Sequence, residues 1–474
     1  MCASRPEPRE RHGCESAADP HDAVGDAGRL RQEARHAPSR RSREDRNLSP
    51  DLPHKRSDFA YKNGRLHAEG VDLARIAETV GTPVYVYAAS GIERSFREYA
   101  DALAGTDALV CYAMKANDNQ AVLSLLQKLG AGADTVSEGE IRRALAAGFD
   151  PKKIVFSGIG KSADEMAFAL SAGIGEFNVE SDHEVDLLAD VARQMGKRAK
   201  IAVRVNPDVD PKTHAKITTG KKGNKFGVDL DQAMEVFKRA AAHASLEPVG
   251  VASHIGSQLT NLDPYRRAFA RMVELVKALR AEGIPISVLD VGGGLGVGYT
   301  GETPPAVADY VQIAREAASE AGCRLVMEPG RRLVAEAGVL LTRVLFVKEG
   351  SAKTFVIVDG AMNDLIRPTL YEAYHPIVPV NEPKAGAVSR PVDVVGPICE
   401  SGDFFAKDRV LPPVSAGDIL AITHAGAYGA VMSSSYNARR LAPEVLVRDQ
   451  QFAVVRPRPS YEDLIGRDRV PDWL

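Results

Sequence analysis

Cysteine is scarce and scattered in this chain. Five occur in 474 residues, at Cys2, Cys14, Cys111, Cys323 and Cys399, and none has the paired spacing of a disulfide framework or a zinc site. That usage fits a reducing cytoplasm. No apolar run approaches the roughly 20 residues of a membrane helix, and the first residues lack the apolar core of a signal peptide. A net charge of −3, with both signs well mixed, leaves no overall basic field for nucleic acid and names no charged partner. Aromatic and β-branched residues are almost missing from residues 1–57, which are rich in Arg, Asp, Glu, Pro, His and Ser. Such a segment cannot bury enough surface to offset its ordering entropy, so a disordered tail is expected there, or an upstream start codon.

From Phe59 onward the composition is that of a folded protein, with hydrophobic residues making up 44% of the whole chain. After Val84, short β-rich runs alternate with segments of helical period, the pattern of βα units closing around a parallel sheet. The runs Leu109–Ala113, Ala133–Val136, Ile154–Ser157, Glu176–Val179, Ile201–Val205, Val249–His254, Ser287–Val291 and Leu325–Met327 make eight strands, hence an α/β fold with a (β/α)8 barrel over 84–332. Past Arg332 the pattern turns to strands at Leu340–Lys348, Thr354–Val358, Val392–Val395, Ile419–Thr423 and Phe452–Val455. A mainly β C-terminal domain over 333–474 follows, and the segment 58–83 is expected to pack on it.

Catalytic groups of such a barrel sit where strands end. The first strand leads into Lys115, which, partly desolvated, can lose its proton and form a Schiff base with an aldehyde cofactor. Alone, such a lysine more often simply reaches solvent. The sixth ends at His254, an imidazole able to lie against a flat ring or to be a structural group. The seventh ends in Asp290-Val291-Gly292-Gly293-Gly294-Leu295-Gly296, whose amides can approach a phosphate. A plain turn or a nicotinamide site also uses such glycines, although the run comes too late for a first βαβ unit. The eighth ends in Glu328-Pro329-Gly330-Arg331, an acid and a guanidinium at the mouth. Together these are the parts that a pyridoxal phosphate site requires.

The strings YAMKAN (112–117), HIGSQ (254–258), DVGGGLG (290–296) and EPGR (328–331) resemble those of the alanine-racemase-like, fold-type III decarboxylases. The resemblance covers roughly residues 58–470 and implies pyridoxal 5′-phosphate as cofactor and a homodimer. It implies that Lys115 holds the cofactor, that His254 stacks on its ring, and that Gly293, Gly294, Gly330 and Arg331 surround its phosphate. Glu328 then pairs with the pyridine nitrogen and keeps it protonated, which favours decarboxylation. Racemases of this fold carry an arginine there.

The later strings IRPTLY (366–371), GPICESGD (396–403) and GAYG (426–429) resemble the diaminopimelate decarboxylase branch of that family. The resemblance implies a carboxy-lyase acting on meso-2,6-diaminopimelate, giving L-lysine and CO2 as the last step of lysine biosynthesis. Arg331, Arg367 and Tyr371 would bind the substrate's distal carboxylate, Glu400 its distal ammonium, and Tyr428 both cofactor and substrate. Cys399 would protonate the α-carbon, in a site shared between subunits. Ornithine and arginine decarboxylases bind a cationic tail that two arginines would repel. A related decarboxylase of another substrate, such as a carboxylated polyamine or a carrier-bound amino acid, and a silent cofactor-binding protein are the alternatives. The string HAKITTGKKGNKFGV (214–228) also resembles the family's, with no role assigned.

Overall fold

The computed structural model describes residues 58–210 and 225–474. The proposed tail and most of the 214–228 string lie outside the described residues.

Eight parallel strands close into a barrel: Ala108–Ala113, Gly132–Thr135, Ile154–Phe156, Glu176–Val179, Ala199–Asn206, Leu246–Ala252, Val288–Asp290 and Arg324–Met327. The ring is complete because the last strand pairs with the first, Val326 opposite Leu109, and the fourth with the fifth. Strands covered on both faces need apolar residues throughout, and Val203, Val251 and Leu289 are fully buried. Each such side chain removed from water contributes roughly 1.5–3 kcal/mol before chain entropy is set against it.

The outer helices begin and stop at local signals. Ser162 caps helix Ala163–Ala172 in a reciprocal box with Glu165, and Gly173 ends it at φ 73°. Helix Asp182–Gln194 buries Val185, Leu188, Ala189 and Ala192 at helical spacing against the barrel.

The second sheet runs in the order Phe404–Leu411, Arg390–Val395, Thr354–Val358, Gly338–Glu349, Val84–Ala88, Glu444–Arg448 and Gln451–Arg456. Ile419–Ile422 pairs with Gly338–Glu349 and with Ile377–Pro379. One boundary read from the sequence is corrected here. Val84–Ala88, expected on the barrel side, is a central strand of the second sheet, antiparallel to Gly338–Glu349 and parallel to Glu444–Arg448. All five of its residues are buried, and a run covered on both faces reads alike in either sheet; only its partners distinguish them. The segment before it joins the same core: Leu66, Leu73 and Ile76 pack with Val84, Val339 and Val445, and the Leu66 amide donates to the Val380 carbonyl at 2.8 Å.

Beside the barrel mouth, the second sheet's Gly338 meets the loop at Gly426 closely. A Cβ on Gly338 would stand 2.4 Å from the Gly426 Cα, so only glycine lets these backbones meet. There Asn117 Nδ2 donates to the Gly426 carbonyl at 3.1 Å, and the Tyr428 amide donates to the Ala116 carbonyl at 2.7 Å. The 426–428 loop thereby sits directly beside Lys115.

Candidate active site

A cleft of about 190 Å³ opens at the strand ends, lined among others by Lys115, Asn178, Arg204, His254, Asp290 and Glu328. Three of the residues read as cofactor ligands, Lys115, His254 and Glu328, therefore meet in one place.

Lys115 Nζ donates to Asp134 Oδ2 at 2.8 Å. Desolvation by itself would lower its pKa, but the carboxylate of Asp134, with Tyr428 and Glu328, outweighs that and raises it above the ordinary lysine range. The expectation that desolvation frees this lysine of its proton is thus corrected: with Asp134 beside it, it stands as a paired ammonium. Asp134 is fully buried and its Oδ1 has no hydrogen-bond partner.

Glu328 lies under the same cleft, 3.5 Å from Ser157 Oγ and 3.4 Å from Asn178 Nδ2. Burial, followed by the fields of Asp134 and Asp290, raises its pKa well above that of an ordinary carboxyl. Asp290 is held by the Gly292 amide and by Asn178 Nδ2, both at 2.9 Å.

His254 is held neutral, mainly by burial and next by Arg204 and Lys115, which lower its pKa well below the usual value. The Gly293 amide points to His254 Nδ1 at 3.2 Å, so that ring nitrogen is the acceptor. The amides of Gly292 and Gly293 are therefore used within the protein. The run remains close-packed: a Cβ on Gly293 would meet the Glu328 carbonyl at 2.2 Å, and one on Gly294, at φ 101°, the Gly256 carbonyl at 2.2 Å.

This donor set fits pyridoxal phosphate. It offers a lysine for the aldehyde, a buried carboxyl for the ring nitrogen and a neutral imidazole for the ring face. Buried polar atoms without partners, Asp134 Oδ1, Asn178 Oδ1 and Ser253 Oγ, lie around it.

Toward the second sheet, Arg331 and Arg367 are buried side by side, 8% and 6% exposed. Among the described residues no carboxylate pairs with either. Arg331 donates to the Tyr299 hydroxyl and to Ser257 Oγ, each at 3.1 Å, and lies 4.7 Å from the Tyr428 ring centre. Arg367 lies 4.9 Å from the Tyr299 ring centre and 2.7 Å from His375 Nε2. Tyr371 ends the short helix Arg367–Tyr371. Tyr428 sits at φ 55°, a left-handed conformation that aims its ring at Arg331.

Cys399 and Glu400 do not join this cleft within one chain. Both are exposed; the Cys399 amide donates to Asn437 Oδ1 at 3.0 Å, and Glu400 Oε1 accepts from the Gly402 amide at 3.3 Å.

Asp134, Asn178, Arg204, Tyr299 and His375 received no role from sequence. For Asp134 and Asn178 a signal existed, since each is a polar residue near the C-terminal end of a short, fully buried barrel strand. Tyr299 and His375 lie in loops where no periodicity operates.

Residues 89–335 match the family model for the pyridoxal-binding domain of pyridoxal-dependent decarboxylases. The diaminopimelate decarboxylase of Pseudomonas aeruginosa is 53% identical over 86% of this chain and 97% of its own. That of Aquifex aeolicus is 46% identical over 85% and 96%. Among solved structures, the Helicobacter pylori diaminopimelate decarboxylase complexed with L-lysine superposes with a TM-score of 0.80 at 45% identity, covering 84% of this chain and 99% of that one. The M. jannaschii enzyme in co-complex with L-lysine gives 0.83 at 40%, over 88% and 98%. The chain belongs to the diaminopimelate decarboxylase family of pyridoxal-dependent decarboxylases.

Proposed function

We propose that the chain is a carboxy-lyase that converts meso-2,6-diaminopimelate to L-lysine and CO2, the last step of lysine biosynthesis. One observation carries the substrate: two buried guanidiniums, Arg331 and Arg367, stand together with no carboxylate among the described residues to neutralise them. A buried charge without a partner costs several kcal/mol, so the pocket is built for an anion brought from outside. Diaminopimelate brings one at its far end; ornithine, arginine and lysine bring a cation.

Pyridoxal phosphate supplies, when bound, an electron sink for the carbanion left as CO2 departs. Lys115 would hold its aldehyde carbon, with Asp134 orienting the side chain, and His254, neutral and fixed through Nδ1, would cover the ring. The buried carboxyl of Glu328 would face the ring nitrogen. Gly293, Gly294, Gly330 and the first turn at Arg331 would surround the phosphate. Arg331, Arg367 and Tyr371 grip the distal carboxylate, Glu400 meets the distal ammonium, and Tyr428 closes on cofactor and substrate. Cys399 donates a proton to the α-carbon. Its exposed loop serves the cleft of a second subunit, so the working unit is a homodimer with shared sites. The assignment divides the chain into a cofactor-binding barrel, from Ala89 to Arg332, and a β domain built from 58–88 and 333–474. No described helix is long and apolar enough to cross a membrane, and a cytoplasmic enzyme is expected.

The test is CO2 release from meso-diaminopimelate, set beside ornithine, arginine and lysine. Turnover of a cationic-tailed substrate in preference to diaminopimelate would refute the reading.

A further inference from the structure

Two like charges buried together need something between them. Arg331 reaches the site from the end of the eighth barrel strand and Arg367 from the second sheet's side, and Tyr299 stands between the two. Its hydroxyl accepts from Arg331 at 3.1 Å, and its ring centre lies 4.9 Å from the Arg367 guanidinium carbon. Tyr299 is itself buried, 7% exposed. An electron-rich ring and a phenol oxygen are neutral partners that attract a guanidinium without cancelling its charge.

The loop carrying Tyr299 is pinned on both sides. Gln258 holds Val297 through Nε2 to its carbonyl at 2.5 Å and Oε1 from its amide at 3.2 Å; Glu302 accepts from the amides of Tyr299 and Thr300 at 3.0 and 2.7 Å. His375 fixes the other guanidinium. Its Nδ1 is 2.9 Å from the Thr423 carbonyl, which can only accept, so Nδ1 carries the hydrogen and Nε2 receives from Arg367. The His375 ring also meets the Tyr299 ring edge-on at 5.3 Å, and the His424 ring lies 5.6 Å away.

We propose that Tyr299 is a specificity-determining positioning residue. It holds Arg331 and Arg367 apart yet convergent, so that a carboxylate, and not an ammonium, completes the set. The inference rests on the assignment of these arginines to the distal carboxylate. The phenol oxygen occupies one hydrogen-bonding direction of Arg331, which an entering carboxylate takes over or shares. The groups facing Tyr299 are Arg331, Arg367, His375 and His424, with Tyr428 across Arg331 and Glu302 on its own loop. Burial would raise the phenol's pKa, but Arg367 and Arg331 outweigh it and bring the pKa below the ordinary tyrosine value. At alkaline pH the phenolate then neutralises the two arginines from within and competes with the substrate's carboxylate.

The test compares three variants of the holoenzyme, Tyr299→Phe, Tyr299→Leu and Arg367→Ala, in steady-state CO2 release from meso-diaminopimelate at neutral and alkaline pH. Cofactor absorbance reports that each site is assembled. For Tyr299→Phe, KM should rise about tenfold, the worth of one hydrogen bond to a charged group, with kcat within about twofold of wild type. Tyr299→Leu, which loses the ring as well, should raise KM further. The wild-type rise of KM toward alkaline pH should flatten in Tyr299→Phe. If both tyrosine variants keep the wild-type KM and pH profile while Arg367→Ala loses affinity, the role of Tyr299 is overturned and the arginine assignment stands. If Arg367→Ala also binds normally, the distal-carboxylate assignment itself falls. Should Tyr299→Leu not fold, the KM and pH profile of Tyr299→Phe decide alone.

Discussion

Glu176 offers a measurement of stability that is independent of catalysis. It opens the fourth barrel strand at the end away from the cleft, buried beside Leu109, Val155 and Val326, and its Oε1 has no hydrogen-bond partner. Burial, and then the field of Asp290, raise its pKa from 4.5 to about 8, while Arg324 and Lys200 pull weakly the other way. An acid whose folded pKa is raised holds a proton that the unfolded chain has released. Stability is therefore unaffected at low pH, falls as pH rises from about 4.5, and levels off above about 8. The slope in that window is roughly 1.4 kcal/mol per pH unit, so the penalty at pH 8 is on the order of 4 kcal/mol. Glu176→Gln removes the proton linkage while keeping the shape. Urea unfolding of both proteins at pH 5 and pH 8 should show the variant gaining on wild type by roughly 3–4 kcal/mol between the two pH values. A gap that stays constant with pH would show that Glu176 is not a buried acid of raised pKa.

Asp134→Asn should lower the pKa of Lys115 in cofactor-stripped protein, since the Asp134 carboxylate is the largest of the effects holding it up. The pH midpoint for cofactor uptake, followed by absorbance, should move down; an unmoved midpoint would disconnect the pair. Gly338→Ala drives a Cβ to 2.4 Å from the Gly426 Cα. It should cost about 1–3 kcal/mol in denaturant unfolding and weaken cofactor retention, because Gly426 and Tyr428 hang on that contact.

How much was legible in the sequence depended on whether local rules acted alone. The barrel strands announce themselves as apolar runs between helical segments, and all eight lie within a few residues of their expected places. Strands Phe404–Leu411 and Glu444–Arg448 escaped. The first carries Lys407, Asp408 and Arg409 along an exposed stretch, and the second is a five-residue run whose sheet position depends on Val84–Ala88, far away in the chain. That Lys115, His254 and Glu328 meet in one cleft was readable because each follows the end of a barrel strand. The charge state of Lys115 was not, because it depends on Asp134 lying 2.8 Å away. Sequence names the lysine and the acid but not their separation. Tyr299 has the same cause: it matters through two arginines that follow it by 32 and 68 positions.

The exposed position of Cys399 gives the shared-site proposal its sharpest consequence. If Cys399 serves the partner's cleft, each site draws Lys115 from one subunit and Cys399 from the other. Lys115→Ala and Cys399→Ala are then both inactive as pure dimers. A mixed dimer collects the two defects in one site and leaves the other with both residues intact. After random reassortment of equal amounts, half the dimers are mixed and each has one working site, so activity should recover to roughly a quarter of wild type. Were the two residues to act within one chain, every site of a mixed dimer would keep one defect and nothing would recover. Native mass spectrometry shows whether the subunits have exchanged, and the CO2 assay reads the outcome. Exchange without recovery would place Cys399 in the cleft of its own chain, against the exposed loop on which the shared site is argued.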